Sequence, residues 1–559
     1  MVQKLKALPF SDYILLAALL ALGGFYEYIS CILCVAMGIF LFLRCRKEKK
    51  LHIPKDLLTL SVLVLSCAYG IVSLWAVDKG MAFIGFFKFL PLPLFLLCRS
   101  QEKKESKVLS LLPFMGAVMT VISLLGMLIP GTKDFFSVAD RLAGFFQYPN
   151  TFAVFLLVCQ LLLFEKASKK WWDYLTAAIL LGGILYTGSR TAFVIAVAAN
   201  GAMLLVTSKK KLFSLLALAG AALCAGLVIF LFRENPVIGR YLRFSLTEST
   251  FAGRLLYMQD SLPLLLKHPF GMGYMGYSYI QQSVQTGLYT VAFVHNDWLQ
   301  LLLDIGWLPA LFFIAALGRW FFKKDVPLSR KVIVSSLCLH ALMDFDLQYI
   351  GMFLLLLKLT ETGCAKKTVK LKAAPVAAGA VAVAVGAVYM GISLSLSAFG
   401  LYSASVALYP GNTVSNLRLL EQATEVAEAD RIADRILKTN KSFYAPYSAK
   451  AKYAFSQGDF AVVIENKQKA FKANPFGYEE YEEYCRMLIT GISLYEQGGD
   501  TKSAAVCRKE LKNTLALLES NEKKLSKLGK AIEDQPVTGL PGDIEDYISK
   551  LKQWGIEPR

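Results

Sequence analysis

The sequence predicts an all-α fold: a polytopic transmembrane helix bundle of about 12–13 spans, followed by an α-helical domain outside the membrane. Three observations carry that expectation: composition, the placement of apolar runs, and the placement of positive charge. Of 559 residues, 55% are hydrophobic and 18% charged, with net charge +18 and mean hydropathy +0.47. Soluble domains carry roughly 45–50% apolar and about 25% charged residues. The long apolar runs fall almost entirely within 1–410, whereas 411–559 has ordinary soluble composition. A disordered chain, a collagen, a secreted disulfide scaffold and a single soluble enzyme are thereby excluded.

Spans are expected at about 10–25, 28–43, 57–75, 80–98, 108–129, 150–164, 173–188, 190–207, 212–232, 298–322, 331–345, 347–360 and 374–398. The first two, and the pair around Asp344–Leu347, are short and closely joined. Positive charge tests this order, because cytoplasmic loops retain Lys and Arg. With the N-terminus inside, the inner segments hold 28 Lys and Arg, from Lys4 and Lys6 through Lys209–Lys211 to Lys366, Lys367, Lys370 and Lys372. The outer segments hold nine, and the short outer turns at Tyr26–Glu27 and Asp344–Asp346 are acidic. The alternation holds across all thirteen spans and puts the chain after Pro410 outside the cytoplasm. Clusters of Lys and Arg at the inner membrane surface have anionic lipid as their default partner, not nucleic acid.

Eleven cysteines are scattered, mostly in apolar runs, among them Cys31, Cys34 and Cys224. The C-x-x-C at Cys31 and Cys34 has no second pair, so it reads as small apolar packing rather than a metal or redox site. Cys485 and Cys507 in the tail could pair or stay free. Lys4 and Lys6 precede an apolar run that no small-residue site breaks before Glu27, so a cleavable signal peptide is not expected.

The chain divides into a membrane domain, 1–410, with a long outer loop at 233–297, and an extracytoplasmic helical domain, 411–559. A second outer segment runs from Pro130 to Asn150. Within the long loop, Arg254–Lys267 is apolar enough to lie along the membrane surface or to cap the bundle. In the tail, small residues Ala449, Ala451 and Ala454 precede Gly458-Asp459, and Ala461, Ala470 and Asn474-Pro475 follow. Two helices joined by a Gly-Asp turn and closed by Asn-Pro resemble a tetratricopeptide unit. A poorer unit runs from Glu479 through Gly498-Gly499-Asp500 to about Leu518. An unrelated helical bundle stays open as the alternative. Either would be a docking surface for a partner protein or polymer.

No phosphate-binding P-loop, zinc-protease helix or serine-nucleophile elbow occurs. Gly271-Met272-Gly273-Tyr274-Met275-Gly276 matches G-x-G-x-x-G, but no βαβ pattern surrounds it, so its glycines read as a tight turn. The informative residues are isolated cations at outer span ends: Arg141, Arg190 in Gly188-Ser189-Arg190, Arg254, and His295 in Val294-His295-Asn296-Asp297-Trp298. Each alone could serve the membrane interface. Together they suit a cationic pocket that grips phosphate, with a histidine able to accept a proton near neutral pH. His52 belongs to an inner basic loop. His340, within a span, reads as a packed, hydrogen-bonded histidine. Lys88 is an intramembrane charge near Phe86-Phe87, suited either to an anionic group or lipid path or to a tilted helix that lets the amine reach water.

Arg141 with Gly144-Phe145-Phe146-Gln147-Tyr148-Pro149-Asn150, then Gly188-Ser189-Arg190, Gly253-Arg254, Lys267-His268-Pro269-Phe270-Gly271-Met272-Gly273, and His295-Asn296-Asp297-Trp298-Leu299 with Asp304-Ile305-Gly306 resemble successive motifs of the bacterial O-antigen ligase/polymerase family. The resemblance covers about 10–360, and the helical tail is similar to the appendage of some members. Asp304 stands where relatives often have Glu. The resemblance implies a metal-independent glycosyltransferase of the bacterial cytoplasmic membrane that needs no cofactor. An undecaprenyl-diphosphate-linked glycan would enter from the outer leaflet. Arg190 and Arg254, with Arg141, would hold the diphosphate, and Lys88 is a secondary candidate for it. His295 would act as general base on, or orient, the acceptor hydroxyl of a glycan, lipid, wall polymer or protein. Polymerase and ligase stay open.

Two other classes compete. A lipid-linked glycan transporter or flippase predicts repeated halves, broken helices at midplane and polar residues deep in several spans. Only Lys88 and His340 answer to the last, and no internal repeat is visible. A non-catalytic membrane scaffold would use the tail to recruit partners.

Overall fold

The computed structural model describes residues 8–166, 168–207, 229–242, 249–361 and 368–532, with isolated positions between 219 and 227 and between 542 and 549. The chain is an all-α polytopic protein, and strands among the described residues are confined to two short pairs. Among the described residues, five helices are long and apolar enough to cross a membrane: Glu27–Glu48, Lys79–Ser100, Val108–Met127, Arg190–Thr207 and Ala374–Ala398. Five shorter apolar helices accompany them: Phe10–Leu20, Leu57–Val72, Pro149–Glu165, Trp307–Phe321 and Ile350–Leu359. Most of the expected span at 212–232 lies outside the described residues, as do Lys4, Lys6, Lys209–Lys211, Cys224, Arg243, Lys366 and Lys367.

Two expected spans are interrupted, each for a visible reason. The stretch 80–98 is a helix from Lys79 to Phe89 and another from Pro91 to Ser100, which run on through Leu90 at φ −62, ψ −28 as one apolar length interrupted only in its hydrogen-bond ladder, because proline at 91 brings no N–H. The stretch 298–322 becomes helices Asp297–Ile305 and Trp307–Phe321. Between them Gly306 adopts φ 82, ψ 173, outside helical space. At 1.5 Å per residue the first piece is about 13 Å long, well short of a bilayer core.

The contacts divide the chain into two compact units. One comprises Met1–Ile71, Ile84–Ser245 and Val294–Leu394; the other comprises Val72–Phe83, Leu246–Phe293 and Ser395–Arg559. In the first unit, the helix Pro149–Leu162 is buried along its whole length, as is Ile350–Leu359. A helix apolar on every side can be satisfied only by being surrounded. Gln160, near the end of the helix Pro149–Leu162, finds Asn200 on the helix Arg190–Thr207: Gln160 Nε2 donates to Asn200 Oδ1 at 2.5 Å and Asn200 Nδ2 returns a bond at 3.1 Å. Strands Lys50–Pro54 and Thr368–Lys372 pair antiparallel, joining two connections that read as inner loops. Apolar runs carry no signal for them.

The second unit is built from sequence segments far apart. Its helical hairpins follow the expected turns. Ala445–Ser456 leads through Gly458 to Asp459, whose carboxylate accepts from Val462 N at 3.1 Å and caps Phe460–Ala473. Tyr478–Gln497 and Thr501–Glu522 repeat the device, with Asp500 accepting from Ser503 N at 3.0 Å. Phe471 stacks on Tyr481 at 4.0 Å inside a core that includes Val463, Leu488 and Leu511. Buried Lys467 is matched by Glu480 at 2.6 Å and Glu483 at 2.5 Å. Cys485 and Cys507 are both buried free thiols.

The tail shares this unit with the long loop. Ser526 N donates to Thr286 O at 2.9 Å, and Ser526 Oγ lies 3.1 Å from Thr286 Oγ1. Asp260 accepts from Thr286 N, Thr286 Oγ1 and Tyr289 Oη within 3.0 Å. Gly529 comes so close that any side chain there would overlap the Thr286 carbonyl. Asn440 Nδ2 reaches Asp78 Oδ2 at 3.0 Å. The Gly271–Gly276 stretch is a turn, as its composition predicts, with Met272 O accepting from Val77 N at 2.9 Å. Arg254–Lys267 lies in the helix Ser249–Lys267, where Leu255, Leu262 and Leu266 are exposed and Leu256 and Leu264 buried.

Candidate active site

The site starts from the turn before the short helix Asp297–Ile305. Asn296 caps that helix, its side chain accepting from Leu299 N at 3.1 Å. His295, just before the cap, takes a left-handed φ of 57, which costs a non-glycine residue roughly 1–2 kcal/mol. The surroundings hold it there. Val294 N donates to Gln300 Oε1 at 3.0 Å, Asp297 N to Ala341 O at 2.8 Å, and Leu347 N to Asp297 Oδ2 at 2.7 Å. Trp298 Nε1 donates to Cys338 O at 3.1 Å. The histidine turn is therefore stitched to residues 338–347.

That stitching sets His295 against the acidic turn. Asp344 Oδ1 lies 3.2 Å from His295 Nδ1, and Phe345 meets the imidazole edge-on at 4.9 Å. Asp344 is 1% exposed. It also accepts from Tyr148 Oη at 2.9 Å and, through Oδ2, from Asn150 Nδ2 at 2.8 Å. With the Nδ1 proton directed at Asp344, Nε2 is the basic nitrogen of the neutral ring.

The same network reaches the arginines. Asn150 Oδ1 accepts from Arg141 Nη2 at 2.6 Å, and Thr187 O accepts from Arg141 Nε at 2.7 Å. Thr187 opens the Gly188-Ser189 turn that starts the helix Arg190–Thr207. Gly188 has φ +62, and a Cβ there would sit 3.4 Å from Arg141 Nε and 3.6 Å from Arg240 Cδ. Tyr241 Oη donates to Leu185 O at 3.0 Å, holding the short helix Ile238–Tyr241 against the same turn. Arg141, Arg240 and Arg190 all act electrostatically on Tyr241. Burial, and then Arg240, push the Arg141 guanidinium down to about 10. Burial raises the Tyr241 phenol, against the pull of the three arginines. Phosphate oxygens are the natural complement to such forks.

Arg141, Arg190 and His295 thus belong to the first unit. Arg254 is half-buried on the helix Ser249–Lys267 of the second unit. Lys88 is completely buried: its Nζ donates to Phe25 O at 2.7 Å and lies 3.7 Å from Glu27 Oε1. The structure thereby gives the amine internal partners. His340 is the packed histidine expected, with Nδ1 2.6 Å from Oδ2 of Asp346, whose Oδ1 accepts from Thr151 Oγ1. Sequence reasoning missed Asp344, Tyr148, Asn150 and Arg240 as site residues. Asp344 was visible only as outer acidity, and Tyr148 and Asn150 only as motif letters. Among the described residues, no cluster of His, Cys, Asp and Glu suits a metal ion.

Residues 175–314 match the family model described as O-antigen ligase. The matched stretch contains Arg190, Arg254, His295 and Asp304, whereas Lys88, Arg141 and Asp344 lie outside it. No curated protein matches the chain. Residues 175–314 of the chain thus carry a domain of the O-antigen ligase kind.

Proposed function

We propose that this protein transfers or polymerises an undecaprenyl-diphosphate-linked glycan onto an acceptor hydroxyl at the outer face of the bacterial cytoplasmic membrane, without a metal or cofactor. The O-antigen ligase domain at 175–314 supports a role in cell-surface polysaccharide biosynthesis. The single observation that carries the finer reading is the hydrogen-bonded path from Arg141 through Asn150 and Asp344 to His295. It couples an anion-gripping guanidinium to an oriented base.

In the proposed reaction the acceptor oxygen attacks the anomeric carbon as its proton passes to His295 Nε2. The bond from that carbon to the diphosphate breaks, and the electron pair leaves with undecaprenyl diphosphate. Arg141 and Arg190 stabilise the charge that develops there. Arg254 and Lys88 keep their diphosphate assignment on the motif order and on intramembrane charge, respectively. The tail hairpins, tetratricopeptide-like in their Gly-Asp turns, would receive a partner protein or the polymer.

The test is reconstitution in liposomes with labelled lipid-linked glycan. Wild type should form a new glycosidic product, and His295→Ala should lower the rate by about 10²–10⁴-fold while still inserting and folding. Donor that crosses the bilayer without product would instead identify a flippase.

A further inference from the structure

We propose that Arg240 is a further diphosphate-binding residue, placed by the Ile238–Tyr241 turn to grip the same anion as Arg141 and Arg190. The inference deepens the transferase reading and rests on it. Its basis is geometric. The Gly188 position has Arg141 Nε and Arg240 Cδ both within 3.6 Å of where a side chain would begin, and Val237 Cγ1 at 3.2 Å. Arg190 follows two residues later and opens an 18-residue helix. Arg141 from the 141–150 segment and Arg240 from the long loop therefore meet at one turn, and the span that begins with Arg190 starts from it. Tyr241 fixes the long-loop segment, because its hydroxyl bonds to Leu185 O at 3.0 Å and its ring packs on Phe193 at 4.9 Å.

The chemistry favours a doubled phosphate over a single one. The two hydrogen bonds of Arg141 within the protein, to Thr187 O and Asn150 Oδ1, go to neutral oxygens. Its acidity is raised by Arg240, as expected where like charges are held together. A diphosphate spreads its charge over two linked groups, each able to take a planar fork. As the sugar departs, charge builds on the leaving group, and guanidiniums already assembled need no rearrangement to meet it. The short ionised headgroup of an ordinary anionic phospholipid offers the same phosphate chemistry, so the experiment must separate the two sources.

The experiment measures initial transfer rates against donor concentration for wild type, Arg240→Ala and Arg240→Lys in liposomes, with Arg190→Ala and His295→Ala beside them. Retention of undecaprenyl diphosphate and of phosphatidylglycerol by each detergent-purified protein is measured in parallel. Arg240→Ala should raise the donor KM by roughly 10–100-fold with a smaller change in kcat. Arg240→Lys should recover part of the loss, and retention of undecaprenyl diphosphate should fall while that of phosphatidylglycerol does not. Wild-type donor affinity in Arg240→Ala, with Arg190→Ala and His295→Ala inactive, overturns the role of Arg240 and leaves the transferase reading standing. Equal loss of both lipids also overturns it, making Arg240 a general headgroup contact. Full transfer by all of the variants overturns the role of Arg240 together with those of Arg190 and His295, whereas no glycosidic product from wild type removes the transferase reading itself. Should Arg240→Ala fail to accumulate, Arg240→Gln takes its place under the same criteria.

Discussion

Asp344 Oδ1 lies 3.2 Å from His295 Nδ1, while Oδ2 of the same carboxylate accepts from Asn150 at 2.8 Å. One buried carboxylate thereby fixes the tautomer of the histidine and anchors the residue that holds Arg141. Asp344→Asn replaces one acceptor oxygen with a donor, which sets two donors against each other on either the histidine or the asparagine side. We expect kcat for glycan transfer to fall by roughly 10–100-fold, with a smaller change in donor KM. Initial rates at saturating donor decide it, and an unchanged kcat would detach Asp344 from the chemistry.

Gly188 has φ +62 and stands against Arg141 and Arg240. Gly188→Ala adds about 1 kcal/mol of backbone strain and presses on Val237 Cγ1, 3.2 Å from the new methyl group, so that the turn between Arg141 and Arg240 must shift. Donor KM should rise with a melting temperature lowered by only a few degrees. A variant with wild-type KM would show that the arginines work independently of this turn.

Lys88 is completely buried, with the Phe25 carbonyl and Glu27 as partners. Lys88→Met leaves the partly exposed Glu27 without its counter-charge and the Phe25 carbonyl without its donor, a loss of about 1–3 kcal/mol. Thermal unfolding in detergent should show a clear loss of stability, partly restored by adding Glu27→Gln. Equal stability with lost donor binding would instead place Lys88 on the diphosphate.

Gly529 passes against Thr286 and Gly287, where a side chain does not fit. Gly529→Val should break the Ser526–Thr286 bonds and destabilise the second unit by about 1–3 kcal/mol. Limited proteolysis then cuts within 268–293 sooner than in wild type. A variant that resists protease as well as wild type would show that this joint is dispensable. Deletion of 411–559 should have a larger effect, because Asp78 also loses Asn440.

The sequence carried the fold wherever one periodicity or one punctuating residue sufficed. Apolar run lengths placed helices such as Val108–Met127 and Arg190–Thr207, and Gly458-Asp459 and Gly499-Asp500 marked the hairpin turns. The motifs named Arg141, Arg190 and His295. What escaped depended on long-range meetings. Asp344 matters because residues 338–347 are tied to the histidine turn, and Arg240 because Tyr241 reaches Leu185. Neither meeting leaves a local pattern. The interruptions at Pro91 and Gly306 were legible letter by letter, but apolar composition runs straight through both. The strand pair at 50–54 and 368–372 joins segments more than three hundred residues apart, beyond the reach of any window.

Because Val72–Phe83, Leu246–Phe293 and Ser395–Arg559 make one body, its parts leave the ribosome at widely separated times. At about 5–20 residues per second, Ser526 follows Thr286 by some tens of seconds. During that interval Thr286 and Gly287 wait without the segment 526–529 that packs on them. Maturation of this body is thus a late event in synthesis, and a chaperone or protease that samples the nascent chain meets it half-assembled.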